Sequence, residues 1–248
     1  QGEPLEAYRE LKLLLDRLPA TDLADAARYW IAETRFRLGE YETAAKLFES
    51  ARILNGISSP HAGRTLLRLA QTHIRLEQWE KASTVAEQLL LSSPGDKSTC
   101  LFEAQYVVGR AHFGRGRFST ARNAFEKVVS DPLARGSETA AMSQWMTGET
   151  HFHQEHFEKA IDAYQKAEIL HAFPEWQAAS LLQTGKCFEH LQKKNQAIRS
   201  YERLIAEHGT SRYAEEGRTR LEELQKTAVS SRPTAPDSPK KQPVRKTR

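Results

Sequence analysis

Two stretches of this sequence decide its fold: residues 29–51 read YWIAETRFRLGEYETAAKLFESA, and residues 148–167 read GETHFHQEHFEKAIDAYQKA. Each contains a small residue, a polar turn, an aromatic residue and then an alanine that is followed four positions later by a second aromatic residue. That alanine and the residues four and seven positions after it lie on one face of a helix. Each stretch therefore predicts two helices joined by a tight turn.

The same pattern recurs along the chain at intervals of 37, 38, 39, 39 and 37 residues. The recurring alanine, termed the anchor, is Ala7, Ala44, Ala82, Ala121, Ala160 and Ala197. Twelve positions before each anchor from the second onward stands a small residue, which predicts that another backbone passes close by: Ala32, Ala70, Gly109, Gly148 and Gly185. One helical pair cannot bury its apolar face alone, but stacked pairs share a core. We therefore predict an all-α, right-handed α-α solenoid of about five repeats, with a leading half-repeat and a C-terminal capping helix.

The quoted stretches, together with LAQTHIRLEQWEKASTVAEQLLLSSP at 69–94, resemble the tetratricopeptide repeat family over residues 3–227. The resemblance implies that the first helix of each pair lines a concave surface and that the chain is a non-enzymatic scaffold for a protein or peptide partner. The form of the repeats is similar to bacterial envelope members of the family, of the Tol-Pal-associated and outer-membrane assembly lipoprotein type. This similarity implies a periplasmic or cell-envelope location for the chain. The chain departs from the family at Lys194, where the other turns carry an aromatic residue.

The first helices are predicted to present a partner-binding groove. Residues fifteen and eight positions before the anchors form two parallel apolar rows, and a charged row lies between them. The predicted groove residues are Tyr29, Phe36, Tyr106, Arg110, Phe113, Trp145, Glu149, Phe152 and Lys186. Such a surface suits an extended peptide or an amphipathic helix. Alternatively, the aromatic residues pack between neighbouring first helices, away from water.

The charge of the chain is concentrated in a C-terminal tail. The net charge is +4, yet residues 229–248 hold six basic residues against Asp237, a net of +5, which leaves −1 for residues 1–228. We predict that residues 1–228 form the solenoid and that the proline-rich basic tail is disordered, because it has too few apolar residues to fold. The tail either keeps the chain soluble or makes a weak contact with a polyanion. The nearly neutral body argues against a duplex-binding module.

The sequence predicts no catalytic residue, cofactor or metal. His73, His112 and His151 stand nine positions before successive anchors, and we expect packed rings there rather than metal ligands. Cys100 and Cys187 lie two repeats apart, too far for a disulfide, and Cys187 is expected to be a buried apolar residue. No apolar run is long enough for a membrane span. The oligomeric state stays open, as do two alternatives: a self-associating structural solenoid and an interaction appendage of a larger protein.

Overall fold

The computed structural model describes residues 3–17, 21–56, 59–92 and 99–230, and every regular element within these ranges is an α-helix. The helices are α1 (Glu3–Arg17), α2 (Asp22–Arg37), α3 (Tyr41–Asn55), α4 (Ala62–Arg75), α5 (Trp79–Ser92), α6 (Thr99–Gly114), α7 (Phe118–Ser130), α8 (Glu138–Phe152), α9 (Phe157–Leu170), α10 (Pro174–His190), α11 (Lys194–His208) and α12 (Ala214–Ser230). The predicted fold class is confirmed. None of these helices is long and apolar enough to cross a membrane. Of the predicted tail, residues 231–248 lie outside the described residues, and α12 continues through Ser230.

Five hairpins follow α1, each made of a first helix (α2, α4, α6, α8 or α10) and a second helix (α3, α5, α7, α9 or α11). Every helix packs against its neighbours in the chain, and each first helix also contacts the next first helix. Within the described ranges no two second helices bring their Cα atoms within 8 Å of each other, although long side chains reach across, as in the ion pair of Arg203 in α11 with Glu168 in α9 at 2.6 Å. The stack must therefore curve toward the first helices, which line its concave side.

The core follows the repeat. The anchors Ala44, Ala82, Ala121, Ala160 and Ala197 are all 0% exposed. In the three repeats with glycine twelve positions before the anchor, a ring rather than the predicted backbone requires the small residue. A Cβ atom added at Gly148 would overlap the ring of Tyr164, and one added at Gly185 would overlap the ring of Tyr201. Each ring belongs to the second helix of the same hairpin and fills the space that the glycine leaves open.

The turn inside each hairpin uses one geometry. The residue five positions before the anchor has a positive φ in all five turns: Gly39, Glu77, Gly116, Glu155 and Gln192. The amide that follows it donates to the carbonyl oxygen five residues earlier, for example His156 N to His151 O at 2.9 Å. This is the bond that closes a helix end with a left-handed residue. It fixes how each second helix leaves its first helix.

Candidate partner-binding groove

The row of rings fifteen positions before the anchors packs between helices. Tyr29 is only 7% exposed, and its ring centroid lies 5.9 Å from that of Phe48. Its ring therefore supports the concave surface from beneath and does not line a groove. Tyr106 packs on Phe125 at 5.8 Å between centroids. The half-buried Trp145 lies 6.2 Å from Tyr164.

The rings eight positions before the anchors stand at the closing turns. Phe36, Phe113 and Phe152 are half-buried. Each ring makes an edge-to-face contact with the aromatic residue that begins the second helix of the same hairpin. The centroids of Phe113 and Phe118 are 5.5 Å apart, and those of Phe152 and Phe157 are 5.6 Å apart. The Phe36–Tyr41 pair has the same arrangement at 5.4 Å. These pairs hold the two helices of one hairpin together, so their rings are structural as well as accessible in part.

A second contact joins each turn to the following hairpin. The residue seven positions before one anchor covers the turn aromatic of the preceding hairpin: Arg75 over Tyr41, Gly114 against Trp79, His153 on Phe118 and His190 on Phe157. We term these four pairs the stacked edge. The two imidazoles stack nearly parallel to the rings beneath them, and the guanidinium carbon of Arg75 lies 4.9 Å from its ring centroid. Stacked rings and cations over rings are both attractive.

The charged row connects successive first helices. Glu33 in α2 is 2% exposed and forms an ion pair with Arg68 of α4 at 2.8 Å. Glu149 Oε1 in α8 accepts hydrogen bonds from Gln183 Nε2 of α10 and from Tyr164 Oη, both at 2.5 Å. The Glu33–Arg68 and Glu149–Gln183 contacts run from one first helix to the next, so the row lies on the side where the first helices meet.

The C-terminal end of this surface opens into a groove of about 630 Å³. Three predicted site residues, Glu149, Phe152 and Lys186, line it together. Lys186 forms an ion pair with Glu216 of α12 at 2.8 Å. The remaining lining residues are His153, Gln183, Glu189, His190, Gln192 and Arg220. The groove thus combines the phenyl ring of Phe152 and the imidazoles of His153 and His190 with charges of both signs.

Two further predicted residues, Arg110 and Phe113, lie on α6, the first helix of the hairpin that precedes α8. Phe113 contacts His153 of the next hairpin edge to face, with centroids 5.3 Å apart, and so continues the groove edge. Arg110 is half-buried, and its Nη1 donates to Tyr106 Oη at 3.3 Å. The structure therefore brings Arg110 and Phe113 to the same concave side as Phe152 but not into the same pocket.

Models of the tetratricopeptide repeat match residues 36–98, 102–175 and 179–211. Together these matches span most of the described hairpins. The chain is a tetratricopeptide repeat protein. No curated protein matches its sequence at a significant level.

Solved structures share the fold of this tetratricopeptide repeat protein at low sequence identity. The apo form of RapI is 15% identical over 84% of this chain and 82% of its own, with a TM-score of 0.68. The apo quorum sensor NprR from B. thuringiensis is 10% identical, covers 90% of this chain and 64% of its own, and has a TM-score of 0.70. BtubC from P. vanneervenii is 14% identical over 99% and 97% of the two chains, with a TM-score of 0.56. At sequence identities of 10% to 15%, this similarity shows a shared fold.

Packing shifts the pKa values of several titratable groups in this tetratricopeptide repeat protein. Burial lowers the pKa values of His73 and His112 and, with the nearby charges of Arg122 and Lys159, lowers the pKa of His151 to about 4. Burial raises the pKa of the Cys187 thiol to about 12. Among the described residues, no group of three or more His, Cys, Asp or Glu side chains could hold a metal ion.

Proposed function

We propose that this chain is a non-enzymatic scaffold that binds a peptide or helix segment of a partner protein in its concave groove. The observation that carries the proposal is the meeting of Glu149, Phe152 and Lys186 in one open groove between successive first helices. Its volume of about 630 Å³ lies in the range of ordinary ligand sites. Rings beside charges of both signs suit a polypeptide, which offers apolar side chains and polar backbone groups at once.

Several charged groups of the groove are held in ion pairs, which favours binding over catalysis. Lys186 pairs with Glu216, and Glu189 pairs with Arg220 at 3.2 Å. An ion pair of this kind holds its side chains in fixed positions, which suits recognition of a segment. We place the scaffold in a bacterial cell-envelope assembly on the strength of the sequence resemblance, and we assign a weak polyanion contact to the basic tail.

A charge reversal in the groove tests the proposal. Lys186→Glu places a third carboxylate beside Glu149 and Glu216 and is expected to abolish partner capture from a lysate of the source organism. Lys127→Glu is the matched control, because Lys127 is exposed on the second helix α7 and the substitution changes the net charge equally. Circular dichroism checks that both variants keep their helices. If the intact chain and both variants capture the partner equally, the binding surface lies outside this groove.

Self-association is a second candidate, favoured by apolar side chains exposed on the first two helices. Leu13 of α1 and Leu23 and Trp30 of α2 are exposed. An interface formed by these side chains would join two copies through their N-terminal ends. Light scattering over a range of concentrations decides: a mass that rises with concentration and falls back in a Leu23→Ser variant supports this candidate, whereas a constant monomer mass excludes it.

A further inference from the structure

Arg110 differs from the other charged residues of its row. Glu33 and Lys186 are ion-paired, and Glu149 accepts two hydrogen bonds. Arg110, by contrast, forms no ion pair with any carboxylate in the described part of the chain, and its Nε is buried without a hydrogen-bond partner. A half-buried guanidinium without a counter-charge has lost part of its hydration and gained little in return. It would gain strongly from an anion supplied by a ligand.

The preceding first helix adds further cations on the same side. Arg64, Arg68, Gln71 and Arg75 of α4 are spaced by four, three and four residues, so they share one face of the helix. Arg68 pairs with Glu33 of α2. Arg64 and Arg75 are exposed, and neither forms an ion pair within the described residues. Both arginines therefore lack a carboxylate partner and add positive charge to the concave side, with the guanidinium of Arg75 lying over the ring of Tyr41.

The concave surface consequently differs in charge between its two halves. At the concave positions of α2, α4 and α6, five arginines stand against two glutamates, a net of +3: Arg37, Arg64, Arg68, Arg75 and Arg110 against Glu33 and Glu103. At the corresponding positions of α8, α10 and α12, two cations stand against three carboxylates, a net of −1: Lys186 and Arg220 against Glu149, Glu189 and Glu216. Since residues 1–228 carry −1 in total, the positive half is a local concentration of charge and not a property of the whole body.

We infer that the concave face of α2, α4 and α6 binds an acidic segment of the partner protein and that Arg110 holds one of its Asp or Glu carboxylates. The inference rests on the proposed function and names the chemistry of its partner. A guanidinium binds a carboxylate through two parallel hydrogen bonds, which fixes the position of the segment as well as adding energy. Arg64 and Arg75 attract the neighbouring acidic residues and speed the encounter.

A peptide selection on the full chain tests the inference. Random twelve-residue peptides displayed on phage are selected on the intact chain, on Arg110→Gln and on Arg199→Gln. Arg199 lies exposed on the second helix α11, so its variant is matched in charge. All three proteins carry the same basic tail. We expect peptides enriched in Asp and Glu on the intact chain and on Arg199→Gln, and loss of that enrichment on Arg110→Gln.

Binding of the most enriched peptide gives the magnitude. Arg110→Gln is expected to weaken its binding at least tenfold at 0.15 M salt, and Arg110→Lys less, because the charge is kept while the paired hydrogen bonds are lost. Replacing each Glu of the peptide by Gln is expected to weaken binding to the intact chain by the same order. Arg199→Gln is expected to bind within twofold of the intact chain.

The outcomes separate the inference from the proposed function. Acidic enrichment that persists on Arg110→Gln overturns the inference and assigns the acidic preference to the tail or another surface. Selected peptides without acidic enrichment that still lose binding in Lys186→Glu also overturn it, while the groove remains the binding site. Selection of no peptide by any of the three proteins counts against both.

Discussion

The imidazole of His190 lies flat on the ring of Phe157, with the ring centroids 4.4 Å apart and the planes 7° apart. His190 ends the first helix of the fifth hairpin, and Phe157 begins the second helix of the fourth. The edge of Phe152 adds a third ring at 5.5 Å from the imidazole. Two consecutive hairpins are thus joined at the rim of the groove by a cluster of three rings.

Removing this stacked ring is expected to weaken the contact between the hairpins. His190→Ala is expected to lower the free energy of unfolding by about 1 kcal/mol, the usual size of a stacking contact beyond its buried area. Urea unfolding followed by circular dichroism measures the change. His190→Phe keeps a ring on Phe157 and is expected to restore most of the stability; if alanine and phenylalanine give the same stability, the stack contributes nothing.

The hairpin turns offer a stabilising substitution. Glu155 has a φ of 58°, a conformation that strains a residue with a Cβ atom but costs glycine little. Glu155→Gly is expected to raise the free energy of unfolding by roughly 0.5–1 kcal/mol. Gly116→Ala at the equivalent place is the reciprocal change and is expected to destabilise by a similar amount. Thermal unfolding of both variants measures this, and a shift of the same sign in both would contradict it.

Stability is expected to fall as the pH falls from about 6.5 toward 4. The unfolded chain protonates His151 near pH 6.5, whereas the folded chain does so only near pH 4, so protons favour unfolding in this interval. His151→Phe, which places at this position the residue type of the fifth repeat at Phe188, removes that proton uptake. Urea unfolding at pH 7 and pH 5 is expected to show a smaller loss in the variant.

Part of the pH dependence remains in that variant, because burial also lowers the pKa values of His73, His112 and His171. An unchanged slope in His151→Phe would mean that His151 is protonated alike in both states.

Breaking the buried Glu33–Arg68 ion pair is expected to lower the free energy of unfolding more than the preceding substitutions do. Glu33 is 2% exposed, so Arg68→Met leaves a buried carboxylate with Arg37 as its remaining partner. We expect a loss of about 2–4 kcal/mol in the free energy of unfolding. Lys226→Met, which breaks the exposed pair with Glu222 at 3.7 Å, is expected to change it by less than about 0.5 kcal/mol.

The double variant Glu33→Met/Arg68→Met tests the cause. It removes the buried charge together with its partner and is expected to recover most of the stability lost in Arg68→Met. If the double variant is no more stable than Arg68→Met, the loss comes from packing of the arginine stem and not from an unpaired carboxylate.

The sequence predicts the hairpins well because their signals are local. The alanine anchors and the turn residues act within one helix or one turn, so Ala160 and Gly116 could be assigned without neighbours in space. The burial of Tyr29 depends on packing against Phe48 of another helix, and no local pattern reports it. The stacked edge joins positions 33 to 35 residues apart, such as Arg75 and Tyr41, and each member alone is an ordinary surface residue. The missing counter-charge of Arg110 likewise appears only when the neighbouring helices are placed.

The separation of the second helices has a mechanical consequence. Since the backbones of successive second helices stay farther apart than those of successive first helices and are bridged by long side chains such as Arg203 and Glu168, resistance to bending comes mainly from the inner contacts between first helices. A segment that bridges two first helices would draw them together and tighten the curve at that step. Small rotations at successive steps add up along the stack. We therefore expect the distance between the two ends of the solenoid to change when a segment is bound on its concave surface.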